Sequence, residues 1–221
     1  MENEIRKNFH QQLDELYLDL LRMSNRCLEI IEETRAAFSA LDEAAADRII
    51  AGDDEIDDYR ELVEESGFEL IARQAPVAID LRNIIVIMRL AQHLERVADL
   101  CVNISKAIKN LTGHTLSPWI RENMDEMFRY AGEILAHAMD AFKAKDASQA
   151  EGLSALDERV DDINRSFFTG FDKESCEDME LIIRVVMISR FVERIADHAV
   201  DIGENVSFLV TGSLHDDDST H

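Results

Sequence analysis

The chain has 221 residues and a formal net charge of −23. A charge that negative repels nucleic-acid phosphates and anionic lipid heads, so nucleic acid and direct membrane contact are poor candidates for ligands, and cations or a basic partner are better ones. A solvated acidic surface, or a salt-adapted source, accounts for the same charge. Only 2 prolines and 8 glycines interrupt long runs of Ala, Leu, Ile, Glu and Arg, which makes an all-α fold the expectation.

Three cysteines, Cys27, Cys101 and Cys176, are scattered and odd in number. They read as reduced core thiols of a cytoplasmic protein rather than as a disulfide set or a zinc site. The acidic N-terminus carries no apolar run, so no signal peptide is expected. The longest apolar run, Ile84 to Met88, is far short of the roughly 18 residues a membrane span needs.

In chain order, the first helix is predicted from about Glu4 to Ser39, with Phe9, Leu13, Leu16, Leu20, Met23, Cys27, Ile30 and Ile31 at helical spacing. The second is predicted from near Asp42 to about Arg73. The third follows Pro76, a residue tolerated in a helix's first turn, and runs to about Leu111. Thr112 to Ser117 forms the clearest break. Ser117 and Pro118 make a good N-cap and first residue for the fourth helix, which ends near Lys145. The fifth covers about Ala147 to Phe171 and the sixth about Glu174 to Val210.

The sequence repeats itself. Glu95-Arg-Val-Ala-Asp99 returns as Glu193-Arg-Ile-Ala-Asp197, a shift of 98 positions, and Ile84-Ile85 returns as Ile182-Ile183. An acid-rich segment precedes each copy, Asp53 to Asp58 and Asp157 to Asp162, at a shift of 104. Self-similarity at half the chain length predicts a duplication. Long helices with short connections then predict two tandem, structurally similar three-helix bundles, six helices in all. The boundaries are residues 1–113 and 114–212, followed by an acidic tail over 213–221.

Each pentapeptide places two carboxylates one helical turn apart, on a face that is otherwise apolar: Met88, Ala91, Ala98 and Val102 in one copy, Val186, Ser189, Ala196 and Val200 in the other. The preceding helices carry matching seams spaced 4, 3, 4, 3: Ile49, Asp53, Ile56, Arg60, Val63, and Leu153, Asp157, Val160, Asn164, Phe167. If the helices of a unit are antiparallel neighbours, Asp53, Asp57, Glu95 and Asp99 converge, and so do Asp157, Asp161, Glu193 and Asp197. Four carboxylates together must be protonated, paired with Arg96 and Arg194, or filled by cations. Oxygen-only sets suit magnesium, calcium, manganese or iron, and with no His at i+4 from these acids zinc is less favoured.

The paired acid motifs, together with Ile71 to Gln74, Pro76 and Asp80 to Arg82, resemble those of the PhoU family of phosphate-uptake regulators over about residues 4 to 212. The resemblance implies a PhoU-like pair of bundles, a cytoplasmic homodimer and multinuclear metal clusters on Asp53, Asp57, Glu95, Asp99, Asp157, Asp161, Glu193 and Asp197. It implies a regulator rather than an enzyme. Such a regulator restrains the high-affinity phosphate ABC transporter and phosphate-starvation two-component signalling, through contacts with the transporter ATPase and a sensor histidine kinase. Membrane contact is expected only through these partners. The chain departs from the pattern at Asp178-Met-Glu180, which does not match Asp80-Leu-Arg82, and at Asn103, which stands opposite Asp201 in the second copy. Two other readings compete: a carboxylate-bridged metalloenzyme, and a structural bundle whose acids are balanced by arginines with no metal.

Overall fold

A computed structural model describes residues 2–150, 152–170 and 178–212. The described residues are helical, without strands: α1 Glu2–Ala40, α2 Glu43–Ala51, α3 Asp53–Gln74, α4 Ile79–Lys109, α5 Pro118–Ala144, a 3₁₀ turn Ala147–Ala150, α6 Leu153–Thr169 and α7 Met179–Thr211. The expected helical arms are present, and two of them are interrupted.

The second arm breaks at Gly52 into α2 and α3. Glycine is a poor helix residue, and the Asp53, Asp54 and Glu55 that follow it favour the positive end of a new helix. Asp53 therefore sits in the first turn of α3 rather than in mid-helix. The fifth arm likewise opens with the 3₁₀ turn before α6. The third helix begins at Ile79, beyond Pro76, so Pro76 lies in the connection and not in a first helical turn. The cause is local: Ala75 closes α3 in the left-handed region (φ 44°), and Ala78 (φ 47°, ψ −111°) is not helical. The start of the sixth helix near Glu174, Cys176 and the 213–221 tail lie outside the described residues, and α7 is described from Met179.

The fourth arm matches expectation, with the Ser117 hydroxyl accepting from Ile120 N–H and Pro118 in the first turn. The duplication also reaches details that composition does not show. α1 ends with Leu41 at φ 50° and Asp42 N–H donating to Ala37 carbonyl. The same closure recurs 104 positions on, with Lys145 at φ 50° and Asp146 N–H donating to Ala141 carbonyl. Both are six-to-one closures of the Schellman type.

The arms of each repeat pack together, and the repeats pack on one another through α1 against α5 and α4 against α7. Across the first contact Tyr17 stacks on Phe142 at 5.1 Å, Phe38 meets Phe128 at 6.3 Å, and Arg35 pairs with Asp125. The apolar core is continuous from Leu16 in α1 to Val206 in α7. His114 from the inter-repeat connection bonds Asp178, whose carboxylate also caps α7 at Leu181 N–H. Cys27 and Cys101 are buried thiols, and burial pushes Cys101 up to about 12. No helix among the described residues is long and apolar enough to cross a membrane.

Candidate metal-binding acid faces

In the first repeat α3 lies on α4, which brings Asp53 and Asp57 within electrostatic range of Glu95 and Asp99. Partial burial, then Asp99 and Asp57, raise the Asp53 carboxyl, while Lys106 opposes. Glu95 is raised by burial and by Asp99 and Asp57, against Arg96 and Arg60. Arg96 bonds Asp99 at 2.9 Å and lies 3.4 Å from Glu95, so this face carries its own cation.

In the second repeat α6 lies on α7 and brings Asp157 and Asp161 to Glu193 and Asp197. Here the acids are deeper and less balanced. Glu193 is buried at 8% exposure. Asp157 is pushed up to about 6, first by burial and then by Asp197, Asp161 and Asp201. Burial and then Asp161 also raise Asp197, with Arg190 opposing. Arg190, one turn before Glu193, pairs with its Oε1, rather than Arg194. Arg165 approaches Asp161 at 3.8 Å. The seam position held by Arg60 in the first repeat is Asn164 here, and it accepts from the buried Ser189 hydroxyl at 2.9 Å. A cation has been replaced by a neutral amide next to the acids.

Two oxygens follow from this imbalance. Asp157 Oδ1 and Glu193 Oε2 are buried with no hydrogen-bond partner. A buried carboxylate oxygen left without a donor is costly, and a hard cation supplies what is missing. The donor set therefore fits an oxygen-seeking metal better in the second repeat than in the first. No three of the eight acids bring oxygens within 4.8 Å of one another, so each face is an open arrangement that has to draw together around a cation.

The sequence reading did not find the company that Asp201 keeps. It lies with His198 of its own helix and His93 of α4, and the neighbouring His198 holds its carboxyl low. The spacing of His198 and Asp201, three apart on one helix, was the available signal; their proximity to His93 depends on how α4 meets α7.

A duplicated all-α bundle with an acidic helix face on each repeat is the class of protein these observations define. The family model described as the PhoU domain matches twice, over residues 20–108 and 124–206, and the chain belongs to the PhoU family. It is 31% identical over 217 residues to the phosphate-specific transport system accessory protein PhoU homolog of Clostridium acetobutylicum, covering 96% of this chain and 98% of that one. It is 31% identical over 212 residues to PhoU homolog 2 of Mycobacterium tuberculosis, covering 95% and 100%. The crystal structure of PhoU from Pseudomonas aeruginosa superposes with a TM-score of 0.86 at 26% identity, covering 93% of this chain and all of that one. The phosphate transport system regulatory protein PhoU from Streptococcus pneumoniae gives 0.86 at 28% identity, covering 94% and 99%.

Proposed function

We propose that this chain is a metal-binding regulatory adaptor of phosphate uptake and not an enzyme. It acts in the cytoplasm as a homodimer. It restrains a phosphate ABC transporter by contact with its ATPase, and phosphate-starvation signalling by contact with a sensor histidine kinase. The regulatory half of this reading is supported by family membership and by relatives whose names describe accessory and regulatory proteins of phosphate transport.

The metal half is supported by one observation above the rest: the partnerless buried oxygens of Asp157 and Glu193. Asp157, Asp161, Glu193 and Asp197 hold iron, manganese or magnesium in the second repeat, and Asp53, Asp57, Glu95 and Asp99 do so in the first. The ion neutralises the face and draws two helices of a repeat together, so metal occupancy sets the surface offered to partners.

One observation favours the competing structural reading for the first repeat alone, namely the pairing of Arg96 with Asp99 and Glu95. Elemental analysis of the purified chain beside the double variant Glu95→Gln, Glu193→Gln separates the two. Bound metal in the parent, lost in the variant, is the expected result. No metal in either protein after incubation with each cation would leave the acids balanced by arginines and protons. Co-purification with the transporter ATPase and the kinase, with and without the metal, tests the regulatory half separately.

A further inference from the structure

Beside the acid faces, and using none of their eight carboxylates, α4 and α7 bring three side chains to one place, and the same three atoms make every approach. His93 Nδ1 lies 3.4 Å from His198 Nδ1 and 3.5 Å from Asp201 Oδ2, and His198 Nδ1 lies 3.6 Å from Asp201 Oδ2. Among the described residues this is the one trio of potential ligand atoms drawn from His, Cys, Asp and Glu that all lie within 4.8 Å of each other. Both imidazoles are largely buried.

The triangle is nearly equilateral. A cation that holds the three corners at tetrahedral angles sits above their plane, about 2.1 Å from each (the side divided by about 1.63), which is within the bond range of zinc to imidazole nitrogen and carboxylate oxygen. A tetrahedral cation with such bonds holds its ligands about 3.4 Å apart, whereas an octahedral one holds neighbouring ligands about 3.0 Å apart. The observed sides match the tetrahedral case. Two imidazoles also disfavour magnesium and calcium, which prefer oxygen.

We propose that His93, His198 and Asp201 form a three-ligand site for a zinc-class divalent cation, with water as the fourth ligand, which staples the first repeat to the second. The water has room: His93 and His198 line a cavity of about 580 Å³ together with Arg60, Glu95 and Arg96. The cation bridges α4 and α7, the long helices that carry Glu95 and Glu193. It thereby sets the angle between the two acid faces.

The site occurs once. Shifted by the repeat of 98 positions, its residues become Phe191, Leu100 and Asn103, which form no ligand set. One ion per chain is therefore required. The inference does not depend on metal at the acid faces, because its donors include two nitrogens and those faces offer only oxygen.

The test uses the full chain, stripped of metal and titrated with Zn²⁺ against a competing chelator in a large excess of Mg²⁺, which competes for oxygen-only sites and not for imidazole. One zinc per chain is expected. The loss expected in His93→Gln, His198→Gln exceeds the roughly 10- to 100-fold that removal of a mere outer-shell partner costs. Affinity should be unchanged in Asp157→Asn, Glu193→Gln. Co²⁺ added to the unaltered chain should give the intense visible bands of a four-coordinate ion with nitrogen ligands, a result that stands whether or not the histidine variant folds. The proposal is overturned by zinc binding that survives loss of both histidines, by zinc binding lost instead from the acid-face variant, by the pale spectrum of six-coordinate cobalt, or by no zinc bound. In the last case the imidazoles share a proton between their Nδ1 atoms and no ion is involved.

Discussion

Replacing Asp157 with Asn should stabilise the metal-free protein while weakening its hold on metal. The Asp157 carboxyl is pushed up to about 6 by burial and by Asp197, Asp161 and Asp201, and its Oδ1 has no partner. A tenfold change in proton affinity is about 1.4 kcal/mol, so this displacement corresponds to about 3 kcal/mol for a fully desolvated group; water screening at a half-buried side chain reduces it to about 1 kcal/mol. Because the folded value is raised, the protonated carboxyl is the form the fold prefers. The contribution is fully present below the ordinary aspartate value, and is lost as pH rises through about 6. Asn removes the charge at every pH. Without metal, urea unfolding at pH 7.5 should show the variant about 1 kcal/mol more stable than the parent, or about 2–4 °C higher in melting temperature for a chain of this size. Near pH 4 the gap should close. With Mn²⁺ or Fe²⁺ present the order should reverse, because the parent, with its second acid face intact, gains more from the ion than the variant does. A variant less stable than the parent at pH 7.5 without metal, or a gap that ignores pH, would refute the reasoning, since it would mean that Asp157 is paired and at ease.

Three other outcomes are expected. Glu193→Gln should cost more of the total manganese affinity, by about tenfold, than Glu95→Gln in calorimetric titration, because Arg96 and Arg60 both face Glu95 whereas Arg190 alone faces Glu193 and leaves its Oε2 without a partner; equal losses would count against the asymmetry. Lys145→Gly should stabilise the protein by about 0.5–1 kcal/mol in thermal melts, the reverse of glycine's usual cost, because Lys145 is exposed and held at φ 50°; a drop in melting temperature would show that its side chain matters. Phe167→Ala should cost about 3–5 kcal/mol by denaturant unfolding and weaken metal binding in the second repeat, since Phe167 is fully buried on α6 against Trp119 at 5.1 Å, on the helix that carries Asp157 and Asp161; unchanged metal binding would separate that face from the core beneath it.

Helix existence was legible because apolar spacing and capping are local. The Ser117 cap with Pro118 and the Leu16-to-Ile31 stripe of α1 could be read directly from residue order. Boundaries were less so. Gly52 ends one helix because the three acids that follow it start another, and the αL conformation at Ala75 and the non-helical, positive-φ backbone at Ala78 push α4 past Pro76. Leu41 and Lys145 repeat one backbone closure with unlike side chains, so no residue match announces it.

The sequence by itself determined the all-α class, the duplication and the two-by-two arrangement of acids on helix faces, because periodicity and repetition are properties of order along the chain. Tertiary structure decided which acids are costly. Burial and neighbours from another helix leave Asp157 Oδ1 and Glu193 Oε2 without partners, while Arg96 covers Asp99. It also decided that Arg190 rather than Arg194 answers Glu193. The meeting of His93 with His198 and Asp201 depends on the packing of α4 on α7 across about half the chain, a long-range contact that spacing along a single helix does not encode.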